Sequence, residues 1–283
     1  MNLRVCVVAL LVLCACGSAQ SSGSLPLPSP PTAALAAWKD FPATANPRPI
    51  IAFGDTVEHI PQAGFPTNDR KIAWICNKFV LASDVKLSTT PRGPATAAGS
   101  SYPSIGSARA YFELMSARSS GGNSTDCARV QPFLITAARW GTAGFPTDRG
   151  TVQMSAWLFD VPEVSAYIGH SAIDPSAYWG GRVATEGRGA RISADDRTLK
   201  IPVSNAEPGP CGTDYTTATA ESDTAAAVAV KSIPHASPGD AVACPLVLHL
   251  SSITVVLKAP LAGRVLVDEH GKAGTVCPET GAC

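Results

Sequence analysis

The sequence predicts a mainly β protein, α+β overall, and three observations carry that prediction. Gly and Pro occur 24 times each, which cuts the chain into turns and short elements rather than long helices. From about residue 187 onward, runs of Thr, Val, Ala and Leu recur between Pro/Gly turns, the spacing of short strands in a sandwich. A single stretch, after Ser104, carries a clear helical period. Hydrophobic residues make up 45% and charged residues 16%, so a packed core is within reach and extended disorder is excluded. The 22 Lys+Arg cancel the 22 Asp+Glu, so no charge field draws the chain to nucleic acid.

Residues 1–15 begin with one cation, Arg4, followed by an apolar run of signal-peptide length, well short of the ~20 residues of a membrane-spanning helix. The run ends in Leu13-Cys14-Ala15-Cys16-Gly17-Ser18. This resembles the lipobox of bacterial lipoproteins, with Leu three before a cysteine and small residues on either side of it. The resemblance implies a diacylglycerol on Cys16, cleavage before it, and a place outside the cytoplasm on the outer face of the cell membrane. Two or three acyl chains on one cysteine make a durable anchor, where a single chain holds only marginally. Lipidation of Cys14, or ordinary cleavage after Gly17-Ser18-Ala19 to release a free protein, stay open as alternatives. Residues 16–37 are Ser- and Pro-rich and read as a tether.

Of nine cysteines, six fall outside the signal and anchor: Cys76, Cys127, Cys211, Cys244, Cys277 and Cys283. An even number in an exported chain suits a disulfide framework. Six cysteines allow fifteen pairings, which spacing does not decide. Pairing neighbours within each region gives Cys76–Cys127, Cys211–Cys244 and Cys277–Cys283. No C-x₂-C pair or nearby histidine supports zinc.

Within 38–186, an α+β region, residues 49–53 and 71–82 read as strands flanking the turn-rich PQAGFPTNDR. Ser104 caps the expected helix, whose Ile105, Ala108, Phe112 and Met115 share a face that Gly121-Gly122 ends. Residues 132–140 and 151–161 read as strands. The second carries apolar residues on both faces (Val152, Met154, Ala156, Leu158 against Trp157, Phe159) and is therefore expected at the centre of a sheet. The pentapeptide Ala-Gly-Phe-Pro-Thr occurs at 63–67 and 143–147, read as one turn used twice before Trp-bearing strands. Residues 187–283 form the expected antiparallel β-sandwich-like domain, with strands at 199–203, 215–220, 224–233, 246–257 and 264–267; Leu246, Leu248 and Leu250 share one side.

Residues 144–150, Ala156-Trp157-Leu158-Phe159 and 252–261 resemble a group of secreted or lipid-anchored proteins of high-GC actinobacteria. That resemblance implies a habitat and no activity.

Chemistry is sparse. Gly169-His170-Ser171-Ala172-Ile173 begins like a G-x-S-x-G nucleophile elbow but lacks the final glycine. His235, His249 and His270 are candidate bases and Asp174 or Asp268 candidate orienters. Asp195, Asp196, Asp214, Glu221 and Asp223 could offer oxygen to calcium, without an EF-hand loop around them. No P-loop, HExxH or GxGxxG is present, so no cofactor is expected. The five tryptophans, with Tyr178, are candidate sugar-stacking surfaces or core. Asn123-Ser124-Thr125 fits a glycosylation sequon. By elimination, the expectation is a non-catalytic binding or interaction module of the cell envelope, with a cell-envelope ligand or protein partner. The alternative is an envelope hydrolase using Ser171.

Overall fold

The computed structural model describes residues 27–60, 63–118, 125–181, 183–236, 243–244, 247 and 249–283. The signal, Cys16, the first part of the tether, Gly121-Gly122, the Asn123-Ser124 portion of the sequon, Leu246 and Leu248 lie outside them. In chain order the elements are β1 (Thr56–His59), α1 (Asn68–Ile75), β2 (Phe79–Leu81), β3 (Ala95–Ala97), β4 (Ser100–Tyr102), α2 (Ser107–Arg118), α3 (Thr125–Arg129), β5 (Phe133–Ile135), β6 (Ala137–Thr147), β7 (Gly150–Val161) and β8 (Ala166–Ser171). The second half adds β9 (Ala190–Ile192), β10 (Thr198–Ser204), β11 (Thr213–Glu221), β12 (Ala225–Pro234), β13 (Leu250–Val256), β14 (Val265–Asp268) and β15 (Val276–Pro278). Strand is the dominant state, at 40% against 16% helical, so the mainly β expectation holds.

The first half is organised around β7. It pairs along its whole length with β6, and its other edge is shared between β8 and β3; β1 and β4 extend the sheet outward. Its alternation divides two cores. Trp157, Phe159 and Val161 pack with Ile168 of β8, Ala110 and Leu114 of α2, and Trp74 of α1. Met154, Ala156 and Leu158 pack on the opposite face with Phe145, Ile173 and Tyr178. A strand buried on both faces has no polar side, which is the pattern its sequence shows.

Three local readings are corrected. Residues 68–75 are helical, which overturns the first part (71–75) of the expected 71–82 strand. Thr67 Oγ1 accepts from Arg70 N–H at 3.2 Å, Asp69 complements the first turn, and Ala73 and Trp74 turn to the core. Asn77, at φ 55°, then reverses the chain into β2, which pairs with β5 in parallel. The pentapeptide is not one turn used twice: at 63–67 it leads into the cap of α1, whereas at 143–147 it is strand. There Pro146 sits on β6, an edge, where a missing N–H on the free side costs no ladder bond. Finally, α2 begins at Ser107, and its buried stripe is Ala110 and Leu114, with Tyr111 and Met115 beside them, while Phe112 is 70% exposed. Counting from Ile105, which precedes the helix, rotates the stripe by part of a turn. Ser104 likewise lies outside the helix, its hydroxyl bonded to Gly93 O.

In the second half the sheets β13-β10-β9-β15 and β11-β12-β14 enclose a core of Leu199, Ile201, Val255, Ala226, Val228 and Leu266. The arrangement is sandwich-like but mixed rather than antiparallel, since β12 with β14 and β9 with β15 run parallel. The outer face of β12 and β14 (Ala225, Ala227, Val265, Val267) is covered by Ala34, Trp38, Phe41 and Ile51. Residues 32–37, assigned above to the tether, are therefore part of a packed 3-10 turn that runs to Trp38, whose Nε1 donates to Gly271 O at 2.8 Å. The two halves also interlock at the β6–β7 hairpin, where Arg149 donates to Ala262 O and Arg264 O and Val276 N–H donates to Asp148 O. Gly263 is needed at this junction: a Cβ there would stand 2.0 Å from Ala43 O. The change at residue 187 is thus a change of pattern within one interlocked structure.

The three disulfides are Cys76–Cys127, Cys211–Cys244 and Cys277–Cys283, the neighbour pairs, with Cα separations of 5.5, 5.5 and 5.1 Å. No helix among the described residues is long and apolar enough to cross a membrane.

Candidate functional site

A cleft at the end of β8 holds a buried polar atom, His170 Nε2, that has no hydrogen-bond partner. Alternation along Ala166–Ser171 puts Ala166 and Ile168 in the core under α2, and His170 continues that face; it is only 3% exposed. Ser171 turns the other way. Asp55, just before β1, is held alongside because Ser171 N–H donates to Asp55 O at 2.8 Å. Glu113 comes from α2. After Ile173 a 3-10 turn, capped by Asp174 and started by Pro175, returns Tyr178 to Ser171. Asp55, Glu113, His170, Ser171, Ile173, Pro175, Tyr178, Gly181 and Val183 enclose about 370 Å³. Arg182, between the last two in sequence, lies outside the described residues.

The imidazole has a defined orientation. His170 Nδ1 lies 2.8 Å from the Ser171 carbonyl, which only accepts, so Nδ1 donates there and Nε2 is the nitrogen that faces the carboxylates. That Nε2 is buried without a hydrogen-bond partner, 3.6 Å from Glu113 Oε2 and 3.8 Å from Asp55 Oδ2. Glu113 Oε1 accepts from Arg109 Nε at 2.8 Å, and the same guanidinium reaches Asp174 at 3.3 Å. The Glu113 hydrogen bond raises the Arg109 pKa, and backbone N–H donation from Ser176 lowers that of Asp174. Burial pushes the Tyr178 phenol up to about 12, with the Asp55 and Glu113 charges adding to the shift and the Ser171 bond opposing it.

Ser171 is placed differently from a nucleophile. Its Oγ is 2.6 Å from the Tyr178 hydroxyl, accepts from Ile173 N–H at 3.3 Å, and has no imidazole bonded to it among the described residues. The candidate bases are elsewhere: His235 pairs with Asp214 at 3.0 Å, and His249 and His270 are exposed, 3.9 Å from Glu207 and 4.0 Å from Glu269. Asp268 closes its own turn by accepting from His270 and Lys272 N–H. The calcium candidates are similarly occupied. Asp195 accepts from Arg197 and Thr198 N–H, Asp196 from Ala262 N–H, and Glu221 from Arg264 at 3.0 Å. Trp38, Trp74 and Trp157 are core, and Trp140 and Trp179 are partly buried, so the tryptophans offer no exposed stacking face.

A second cavity of about 390 Å³ beside Cys277–Cys283 presents Arg191 and Lys200, but both are satisfied, Arg191 by Pro278 O and Lys200 by Glu279 at 2.5 Å.

Sequence reasoning brought His170 and Ser171 forward through an elbow-like motif, and missed Asp55 and Glu113. A legible signal did exist: the alternation of 166–171 puts a histidine where the core demands an apolar residue. No protein-family model matches the chain, and no curated protein or solved structure is similar to it.

Proposed function

We propose that the chain is a lipid-anchored extracytoplasmic binding protein, held to the outer face of the cell membrane through Cys16, whose ligand enters the cleft at His170. The observation that carries the binding reading is the convergence of a buried, unpartnered imidazole nitrogen with Asp55 and Glu113 on one cavity. Buried polar atoms are normally satisfied, and here the unsatisfied one lies on a cavity with two carboxylates beside it. Support for the compartment comes from the lipobox-like Leu13-Cys14-Ala15-Cys16 and from three disulfides, which persist in oxidising surroundings. The competing reading, an envelope hydrolase acting through Ser171, is less well supported because that hydroxyl is engaged by Tyr178.

Two experiments test this. Membrane fractionation of the full chain and of Cys16→Ala should move the protein from membrane to soluble fraction; a variant that stays in the membrane contradicts the anchor. A thermal-shift screen against peptidoglycan fragments, glycans, divalent ions and lipids should find a ligand that raises the midpoint by mass action and that His170→Ala no longer recognises. Shifts indifferent to His170→Ala would place the site elsewhere.

A further inference from the structure

We propose that the His170 cleft recognises its ligand through a primary ammonium group on an alkyl chain. This rests on the binding reading above and names the chemistry it requires. The cleft is built from acceptors. His170 Nδ1 donates to Ser171 O, so in the neutral ring Nε2 offers its lone pair to the cleft. Asp55 Oδ2 and Glu113 Oε2 face that lone pair and, ionised, only accept. Three acceptors directed at one place leave each other unsatisfied, and a –NH₃⁺ group has three donors to offer them.

At 3.6 and 3.8 Å, the two carboxylate oxygens lie beyond hydrogen-bond reach of Nε2, so the three polar atoms do not bond one another directly. Nor are any three His, Cys, Asp or Glu side chains grouped as metal ligands among the described residues. A donor group seated between the three needs only ordinary N–H···O and N–H···N lengths of about 2.7–3.2 Å to each.

Charge points the same way. Among the described residues, Arg109 is the cation bonded to Glu113, and it is shared with Asp174, while Asp55 and Glu113 both line the cavity. Burial raises the Tyr178 phenol first of all, and the Asp55 and Glu113 charges add to that shift. Beyond the acceptors, Ile173, Pro175 and Val183 offer apolar wall for a chain of several methylenes.

The test uses the full-length protein in detergent, titrated by calorimetry and thermal shift with n-pentylamine, pentyltrimethylammonium and 1-pentanol. These share one chain and differ in charge and N–H donors. Pentylamine should bind at least tenfold more tightly than pentyltrimethylammonium, which has charge without donors, and 1-pentanol should bind more weakly than either. Asp55→Asn and Glu113→Gln, which keep volume and fold, should each weaken pentylamine tenfold or more. Nα-acetyl-lysinamide and phosphoethanolamine arms then separate a peptide side chain from a lipid headgroup as the source of the ammonium. Equal binding of all three probes would overturn the proposal, as would zinc or calcium binding that Asp55→Asn and Glu113→Gln abolish while pentylamine stays silent. If pentylamine fails but the broad screen still yields a ligand lost in His170→Ala, the ammonium is wrong and the site stands. If no ligand depends on His170, the site itself is wrong.

Discussion

Ser171 Oγ and the Tyr178 hydroxyl lie 2.6 Å apart on the buried side of the cleft, and each is the other's nearest polar partner. A serine so held lacks the adjacent base that nucleophilic catalysis requires. A fluorophosphonate probe should therefore leave Ser171 unlabelled, and a label that Ser171→Ala removes would restore the hydrolase reading. Ser171→Ala should also cost about 1–3 kcal/mol of unfolding free energy, because it strands a buried hydroxyl. The double variant with Tyr178→Phe should lose less than the sum of the singles, as denaturant melts would show.

Arg48 forks onto Asp148, at 3.2 and 2.6 Å, and Asp148 is almost fully buried with Arg149 a further 3.5 Å away. Burial lowers the Arg149 pKa, and Asp148 opposes that shift. Removing the carboxylate leaves two cations facing each other with little water. Asp148→Ala should cost about 3–5 kcal/mol in urea unfolding, the range for breaking a buried pair by deleting one partner. A loss below about 1 kcal/mol would show that the Asp148 carboxylate is not needed to hold the two guanidiniums.

The disulfides should differ in worth according to the loop each closes. Cys76 and Cys127 are 51 residues apart, whereas Cys277 and Cys283 are 6 apart. Chain-entropy reasoning gives about 4 kcal/mol for the longer loop and about 2 kcal/mol for the shorter. Paired Cys→Ser variants compared by denaturant midpoint should follow that order, and alkylation of the native chain without reductant should find these six thiols blocked.

His235 provides the pH dependence. Its hydrogen bond to Asp214, and then that to Gly209 O, raise its pKa. A folded value above the unfolded ~6.5 means the contact stabilises fully below that pH and is lost as pH rises through the folded value. In an NMR titration the His235 ring should titrate above the ordinary imidazole range, and Asp214→Asn should bring it down. An unchanged midpoint would remove the ion pair from the account.

How much of this was legible depends on how local the cause is. The strands of the second half could be read directly, since Leu199, Ile201 and Val203 alternate and their inward faces meet across the sandwich. Residues 71–82 could not, because Ala73 and Trp74 suit either period and Thr67, which caps the helix, lies upstream of the run. The repeated pentapeptide makes the same point, being a loop in one context and an edge strand in another. The mixed direction of the sheets and the packing of residues 32–38 depend on long-range partners that no local pattern announces. The cleft was half-legible: His170 stands out on β8, but Glu113 and Asp55 reach it only through the docking of α2 and the pairing of β1.

The central claim is that His170 Nε2 is an acceptor waiting for a ligand, and the long-range proton–nitrogen spectrum of histidine-labelled protein reads it directly. The account predicts that His170 keeps its Nδ1–H signal with and without ligand, and that adding pentylamine shifts Nε2. An absent Nδ1–H signal, or an Nε2 signal untouched by any ligand that binds, would contradict it.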